Sequence, residues 1–190
     1  MNTNAQKKMT FDLNEEMLKI LGIEFNVQQL AKTFGEAIQG KSIKSLDHEA
    51  KEIFSQYGQK WMKRSMELGE AYSDTTYEIL KKAIKKTGSL YFPMVPQRFV
   101  EIAYLSTQSI FSLPIVQNNG EKFSFKLAMC DTFKAIKETC GQEIANTLPC
   151  RFACLSALET VFGNLNIPVA IGMDATMPRD DYCQFSAAKT

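Results

Sequence analysis

The stretch Asn118-Asn119-Gly120-Glu121-Lys122-Phe123-Ser124-Phe125-Lys126-Leu127-Ala128-Met129-Cys130 decides the fold class. Asn-Asn-Gly tolerates the positive φ angles of a tight type I′ hairpin turn, so the chain is predicted to reverse here. From Glu121 the residues alternate, with Phe123, Phe125, Leu127 and Met129 on one side. That is the period-2 signature of a strand with one buried face. In this phase Cys130 shares the opposite side with Ser124, Lys126 and Ala128. Upstream, Ser109 to Gln117 supplies a partner strand with Phe111, Leu113 and Ile115 on one face; Pro114 marks an edge or a bulge. Arg98 to Leu105 also alternates and is predicted as a strand, after Pro93 and Pro96 have ended helical continuation.

The first half follows a helical period. Asp12 with Glu15 reads as a capping box for a helix ending at Gly22, with Phe11, Leu13, Met17, Leu18 and Leu21 as its stripe. Asn26 with Gln29 opens a second helix that closes at Gly40. From Leu46 to Lys86 a long helical stretch carries Ala50, Ile53, Tyr57, Trp61 and Met66 on one face. It breaks near Gly69, restarts at Thr75-x-x-Glu78 and stops at Gly88. Beyond the hairpin, Asp131 caps a helix reaching Gly141, and Pro149 opens another reaching Gly163. Ile167 to Met177 and Asp181 to Ala187 form a last hairpin turning at Pro178-Arg179-Asp180. The expected architecture is α+β: a helical region, 1–88, packed on the antiparallel sheet of a cysteine-containing region, 89–190. Two helices are inserted before the C-terminal hairpin, and the whole forms one compact domain.

Lys+Arg 22 against Asp+Glu 21 leaves a net charge of +1. Phosphate backbones demand clustered positive charge, so this balance argues against nucleic acid. Lys81, Lys82, Lys85 and Lys86 form the one cationic group; they fall where a helix ends and complement its dipole. No apolar run approaches the ~20 residues of a membrane span, and Met1 to Thr10 is polar, without the apolar segment of a signal peptide. The chain is therefore expected in the cytoplasm, with no membrane partner. There its five cysteines are thiols, metal ligands or reactive groups rather than disulfides. The single histidine, His48, sits in a charged helical stretch and is expected on a solvent face. No Ser-His-Asp or Cys-His triad assembles unless His48 crosses to the C-terminal third, and a zinc site built mainly from His is excluded.

Cys130, Cys150, Cys154 and Cys183 follow the spacing C-x19-C-x3-C-x28-C. Positions i and i+4 share a helix face, so Cys150 and Cys154 can aim two sulfurs at one point. Three readings stand side by side: packing as small hydrophobes, thiolate ligation of zinc or an iron–sulfur cluster, and a reactive thiol. Cys140, at a helix end, is the least informative. Arg179, Asp180 and Asp181 lie beside Cys183. Acidic turn residues commonly serve local hydrogen bonding. As a site, the paired carboxylates would hold a water or a substrate amine and Arg179 a substrate carboxylate. Glu159 is a further candidate base.

Phe123-x-Phe125-x4-Cys130, Lys137-Glu138, Cys150-x3-Cys154 and Asp180-Asp181-x-Cys183-x-Phe185 together resemble the L-2-amino-thiazoline-4-carboxylic acid hydrolase family. That family is in turn similar to the vinyl-reductase-like small-molecule-binding domains. The resemblance covers the last third in motifs and the helical first half in character. It implies a hydrolase that opens a cyclic amidine or thiazoline amino-acid derivative. In that reading Cys130, Cys150, Cys183, Asp180 and Asp181 are catalytic, and Arg179 and Cys154 bind substrate. The binding domains imply instead a non-catalytic α+β ligand-binding or sensor fold, some with a cysteine-rich zinc site, for which Cys130, Cys150, Cys154 and Cys183 are the candidate ligands. The chain departs from these patterns at Leu155-Ser156-Ala157, where the hydrolases tend to be acidic, and at Arg179, where they usually have Gly. Ala175 stands where the zinc pattern expects Cys. In both readings the expected partner is a small molecule, for which Tyr91 to Met129 would line a pocket as readily as a core. Homo-oligomerisation stays open, and a purely structural protein–protein module applies if the faces of the long helices are exposed.

Overall fold

The computed structural model describes residues 12–42, 45–89 and 92–190. Met1 to Thr10, Phe11 of the first predicted stripe and Tyr91 of the predicted pocket lining fall outside them. Asn14, not Asp12, caps α1 (Glu15–Glu24), accepting the Met17 N–H; the Asp12 carboxylate accepts the Thr75 hydroxyl instead. Asn26 caps α2 (Val27–Ala37) through the N–H groups of Gln28 and Gln29. The long helical stretch divides into α3 (Leu46–Ala71) and α4 (Thr75–Thr87). Asp74, one residue before the predicted cap, takes the Tyr77 N–H, and Gly88 closes α4 in the left-handed conformation. His48 and the four lysines are exposed.

Arg98 to Leu105 is not a strand. It lies inside α5 (Met94–Thr107), where every residue from Pro96 to Tyr104 is buried. A helix covered on all sides has no amphipathic stripe, so Arg98 and Glu101 among apolar residues mimic strand alternation. Pro96 sits in the first turn, where a missing N–H forfeits no intrahelical bond.

Among the described residues, β1 (Ile115–Asn118), β2 (Lys122–Leu127), β3 (Val169–Ala175) and β4 (Cys183–Lys189) form one antiparallel sheet in the order β1-β2-β4-β3. β1 is shorter than its predicted stretch and bulged between Ile115 and Gln117, next to Pro114, which cannot donate to a ladder. Phe123, Phe125 and Leu127 are buried, as their alternation requires. The strand ends there, so Met129 is exposed and Cys130 leaves the sheet to cap α6 (Asp131–Cys140), its Sγ accepting the Phe133 N–H at 3.4 Å. Asp131, the predicted cap, takes the Ser109 N–H instead.

α6, the short α7 (Gln142–Asn146) and α8 (Arg151–Asn164) form the insertion between β2 and β3, and α9 (Met177–Asp180) makes the last turn. The fold is α+β, with N-terminal helices and C-terminal strands as expected. One hydrophobic core runs from Leu13 to Ala187, joining α3, α5 and α8 to the aromatic face of the sheet. No described helix is long and apolar enough to cross a membrane.

Candidate functional site

α3 and α8 meet backbone to backbone at Gly58: a methyl group there would stand 2.1 Å from the Ala153 carbonyl oxygen. Only a residue without a side chain lets the two backbones meet. The approach sets Tyr57 and Trp61, four apart and so on one face of α3, against Cys150 and Cys154 at the start of α8. Tyr104 and Gln108 from the end of α5, Leu127 from β2, and Cys130 and Thr132 close the remaining sides. Together they enclose a chamber of about 20 Å³, room for about one water.

The chamber wall is mostly apolar, with a few buried polar groups among its residues. Trp61 Nε1 and the Tyr104 hydroxyl are buried and have no hydrogen-bond partner among the described residues. Tyr104 adjoins the Cys154 thiol. The Gln108 side chain, by contrast, is engaged at both ends: its amide donates to Thr132 Oγ1 at 3.1 Å and its oxygen accepts the Asp131 N–H at 2.8 Å. Burial pushes the Cys130 thiol up to about 12, only partly offset by the Phe133 N–H. Burial likewise holds Cys150 and Cys154 well above the ordinary thiol range, and the neighbouring sulfurs add to the effect. At neutral pH all three are thiols, not thiolates.

A groove lies on the outer side of Tyr57. It runs between the α1–α2 corner and α3, has a volume of about 460 Å³, and opens to solvent. Phe25, Leu30 and Ile53 give it an apolar floor, and the exposed Ile23, Lys60 and Glu24 stand on its rim. Glu24 is held by a bidentate pair with Arg64, both contacts at 2.9 Å. Tyr57 belongs to the groove and to the chamber alike. Its hydroxyl donates to the Phe25 carbonyl at 3.0 Å, across the end of α1.

The predicted site residues divide between two places. Cys130, Cys150 and Cys154 line the chamber. Cys183, at the start of β4, is buried but is not part of that wall; burial raises its thiol, while the Met177 N–H works against the rise. Arg179, Asp180 and Asp181 also lie outside the chamber wall. The Arg179 guanidinium grips its neighbour at 2.8 Å and holds the Asp180 carboxyl below its ordinary range. Asp180 further accepts the Thr176 N–H, and Asp181 is an exposed left-handed residue. The turn thus spends its polar groups on itself. Glu159 and His48 are exposed on the helices. Among the described residues, no three His, Cys, Asp or Glu side chains are grouped so as to hold a metal ion.

Sequence reasoning missed Gln108 and Thr132, reached Tyr104 only within the Tyr91 to Met129 pocket stretch, and took Tyr57 and Trp61 for core ahead of a ligand cage. Tyr57-x3-Trp61 was the available signal, since two polar-tipped aromatics one turn apart bring two hydrogen-bonding groups into a core. Comparison of the chain with protein-family models, with curated proteins and with solved structures found no match in any of the three.

Proposed function

We propose that the chain is a non-catalytic small-molecule-binding protein that takes an apolar ligand into the groove between the α1–α2 corner and α3. One observation carries the reading: a concave, apolar-floored groove of about 460 Å³ falls within the usual ~300–1,000 Å³ of ligand pockets. Its inner wall, Tyr57, backs onto unpaired buried donors. Of the two functions implied by the resemblance, this is the ligand-binding one. The hydrolytic reading needs an ionised nucleophile or a carboxylate free to activate water. Burial keeps the chamber thiols protonated, Arg179 and Asp180 are paired with each other, and the free carboxylate of Asp181 is exposed outside the chamber wall, so the geometry gives that reading no comparable support.

The test uses Ile23, which lines the groove yet is 80% exposed, so that replacing it leaves the core intact. A panel of apolar small molecules is titrated against the wild type and Ile23→Glu, with methyl NMR shifts at Ile53 and Leu30 as readout. Saturable shifts that Ile23→Glu weakens by about tenfold or more are expected, because the new carboxylate must be desolvated under the ligand. Equal binding by both proteins, or no saturable shift with any member, would overturn the proposal.

A further inference from the structure

We infer that groove and chamber are one binding site divided by the Tyr57 side chain, and that its ligand is a neutral apolar molecule ending in a compact hydrogen-bond acceptor, such as a ketone or an aldehyde. This rests on the groove reading and goes past it to the chemistry of the ligand and the residues that read it.

Tyr57 is the shared wall. It is half-buried, and the one hydrogen bond of its hydroxyl goes to the Phe25 carbonyl. Its ring meets Phe25 edge-on at 5.6 Å and lies tilted against Trp61 at 5.9 Å. A rotation about χ1 and χ2 that gives up that hydrogen bond joins the two spaces. The latch is light: the hydrogen bond is neutral and can be exchanged for one to water.

Behind Tyr57 the two unmet groups can each donate, an indole N–H and a phenol O–H. Trp61 and Tyr104 are 2% and 1% exposed, and their Nε1 and hydroxyl atoms have no partner among the described residues. An indole N–H can only donate, and a thiol donates weakly. The strongest acceptor in the wall, the Gln108 oxygen, takes the Asp131 N–H and meets neither of them. What the chamber lacks is a strong acceptor that meets those two groups: its sulfurs accept only weakly, and neither group has a partner among the described residues. No charged residue is part of its wall, so a carboxylate would bring in an uncompensated buried charge, which costs far more than one hydrogen bond returns. Its size, about 20 Å³, admits a carbonyl oxygen and keeps the apolar body of the ligand in the groove.

Trp61 is the chain's single tryptophan, so its emission reports the chamber side of Tyr57, while methyl shifts at Ile53 and Leu30 report the groove. Three probes of matched shape are titrated: an alkylcyclohexanone, the corresponding alkylmethylcyclohexane and the corresponding cyclohexanecarboxylate. The ketone is expected to quench Trp61 saturably and to bind about 2- to 10-fold tighter than the hydrocarbon, the range one neutral hydrogen bond spans. The carboxylate is expected not to bind. Tyr104→Phe should lower ketone affinity toward the hydrocarbon value, leaving the share of the Trp61 N–H, without lowering the melting temperature, because the lost hydroxyl had no partner among the described residues. Tyr57→Phe, which removes the latch, should speed ketone association. If ketone and hydrocarbon bind alike through the groove with Trp61 emission unmoved, the chamber holds only a water and the inference falls while the groove reading stands. If no probe moves either reporter, both fall.

Discussion

Gly58 and Ala153 touch backbone to backbone: a side-chain methyl on Gly58 would meet the Ala153 carbonyl oxygen, carbonyl carbon and Cα at 2.1, 2.8 and 2.9 Å. In an exposed helix Gly→Ala would stabilise by about 1 kcal/mol. Here the opposing surface is main chain, which cannot rotate aside, so α3 and α8 must separate. Gly58→Ala is expected to lower stability by about 1–3 kcal/mol, the usual cost of overpacking, in urea denaturation. Adding Ala153→Gly should not restore it, because the clash is with the carbonyl and not with the methyl. Rescue by the double variant would show that the helices meet through side chains.

A second clamp joins α3, α4 and α5. Arg98 is 1% exposed, and its Nη2 donates to the Gly69 carbonyl at 2.7 Å and to Asp74 Oδ2 at 3.0 Å. The other carboxylate oxygen of Asp74 caps α4. Removing one member of a buried ion pair leaves the other charge uncompensated, at a cost of about 3–5 kcal/mol. Asp74→Ser keeps a capping side chain and loses the charge; it should account for most of the destabilisation, with Asp74→Ala costing only about 1 kcal/mol more. Near-wild-type stability of Asp74→Ser would mean that the cap, not the charge pair, holds this corner.

Glu101 predicts how stability responds to pH. Its Oε1 accepts the Gln97 amide at 2.8 Å, while the buried Oε2 has no partner among the described residues. Burial pushes its carboxyl from 4.5 up to about 7, and the Gln97 bond pulls back only in part. The folded protein therefore keeps a proton that the unfolded chain releases near 4.5. Through its window of about 4.5 to 7, this group makes stability fall as pH rises, by a total on the order of 3 kcal/mol. Glu101→Gln, neutral throughout, should be the more stable protein at pH 8 and close to the wild type at pH 4. Parallel pH profiles for the two proteins would rule out Glu101 as the titrating group.

The thiols should be slow. Burial raises all five, Cys130 to about 12, and only thiolate reacts appreciably with disulfide reagents. Cys140, half-buried at the end of α6 against the Ala31 carbonyl, should react first. Cys130, Cys150, Cys154 and Cys183 should remain protected at pH 8 until denaturant is added. A rapid native reaction of Cys150 or Cys154 would contradict their protonated state and bring the nucleophile reading back.

Much of the fold was legible because some signals act locally. The Phe123-Phe125-Leu127 alternation, the Asn26 cap and the Gly88 stop are each decided by a few neighbouring residues and by backbone sterics. Where the reading slipped, a local pattern was continued past the point at which tertiary structure interrupts it. Cys130 was assigned a face by extending the β2 alternation three residues beyond Leu127, where the chain has already turned to cap α6.

The sequence alone settled the α+β class, the order of helices and strands at both ends, and the buried face of β2, since periodicity and turn chemistry are properties of short segments. Only the tertiary structure could make α5 a helix, because a segment covered on every side leaves no stripe to read. Only it could draw Tyr57, Trp61 and Tyr104 around the same chamber as three of the thiols. That grouping depends on how closely α3 and α8 approach at Gly58, a distance set by contact between parts of the chain far apart in sequence.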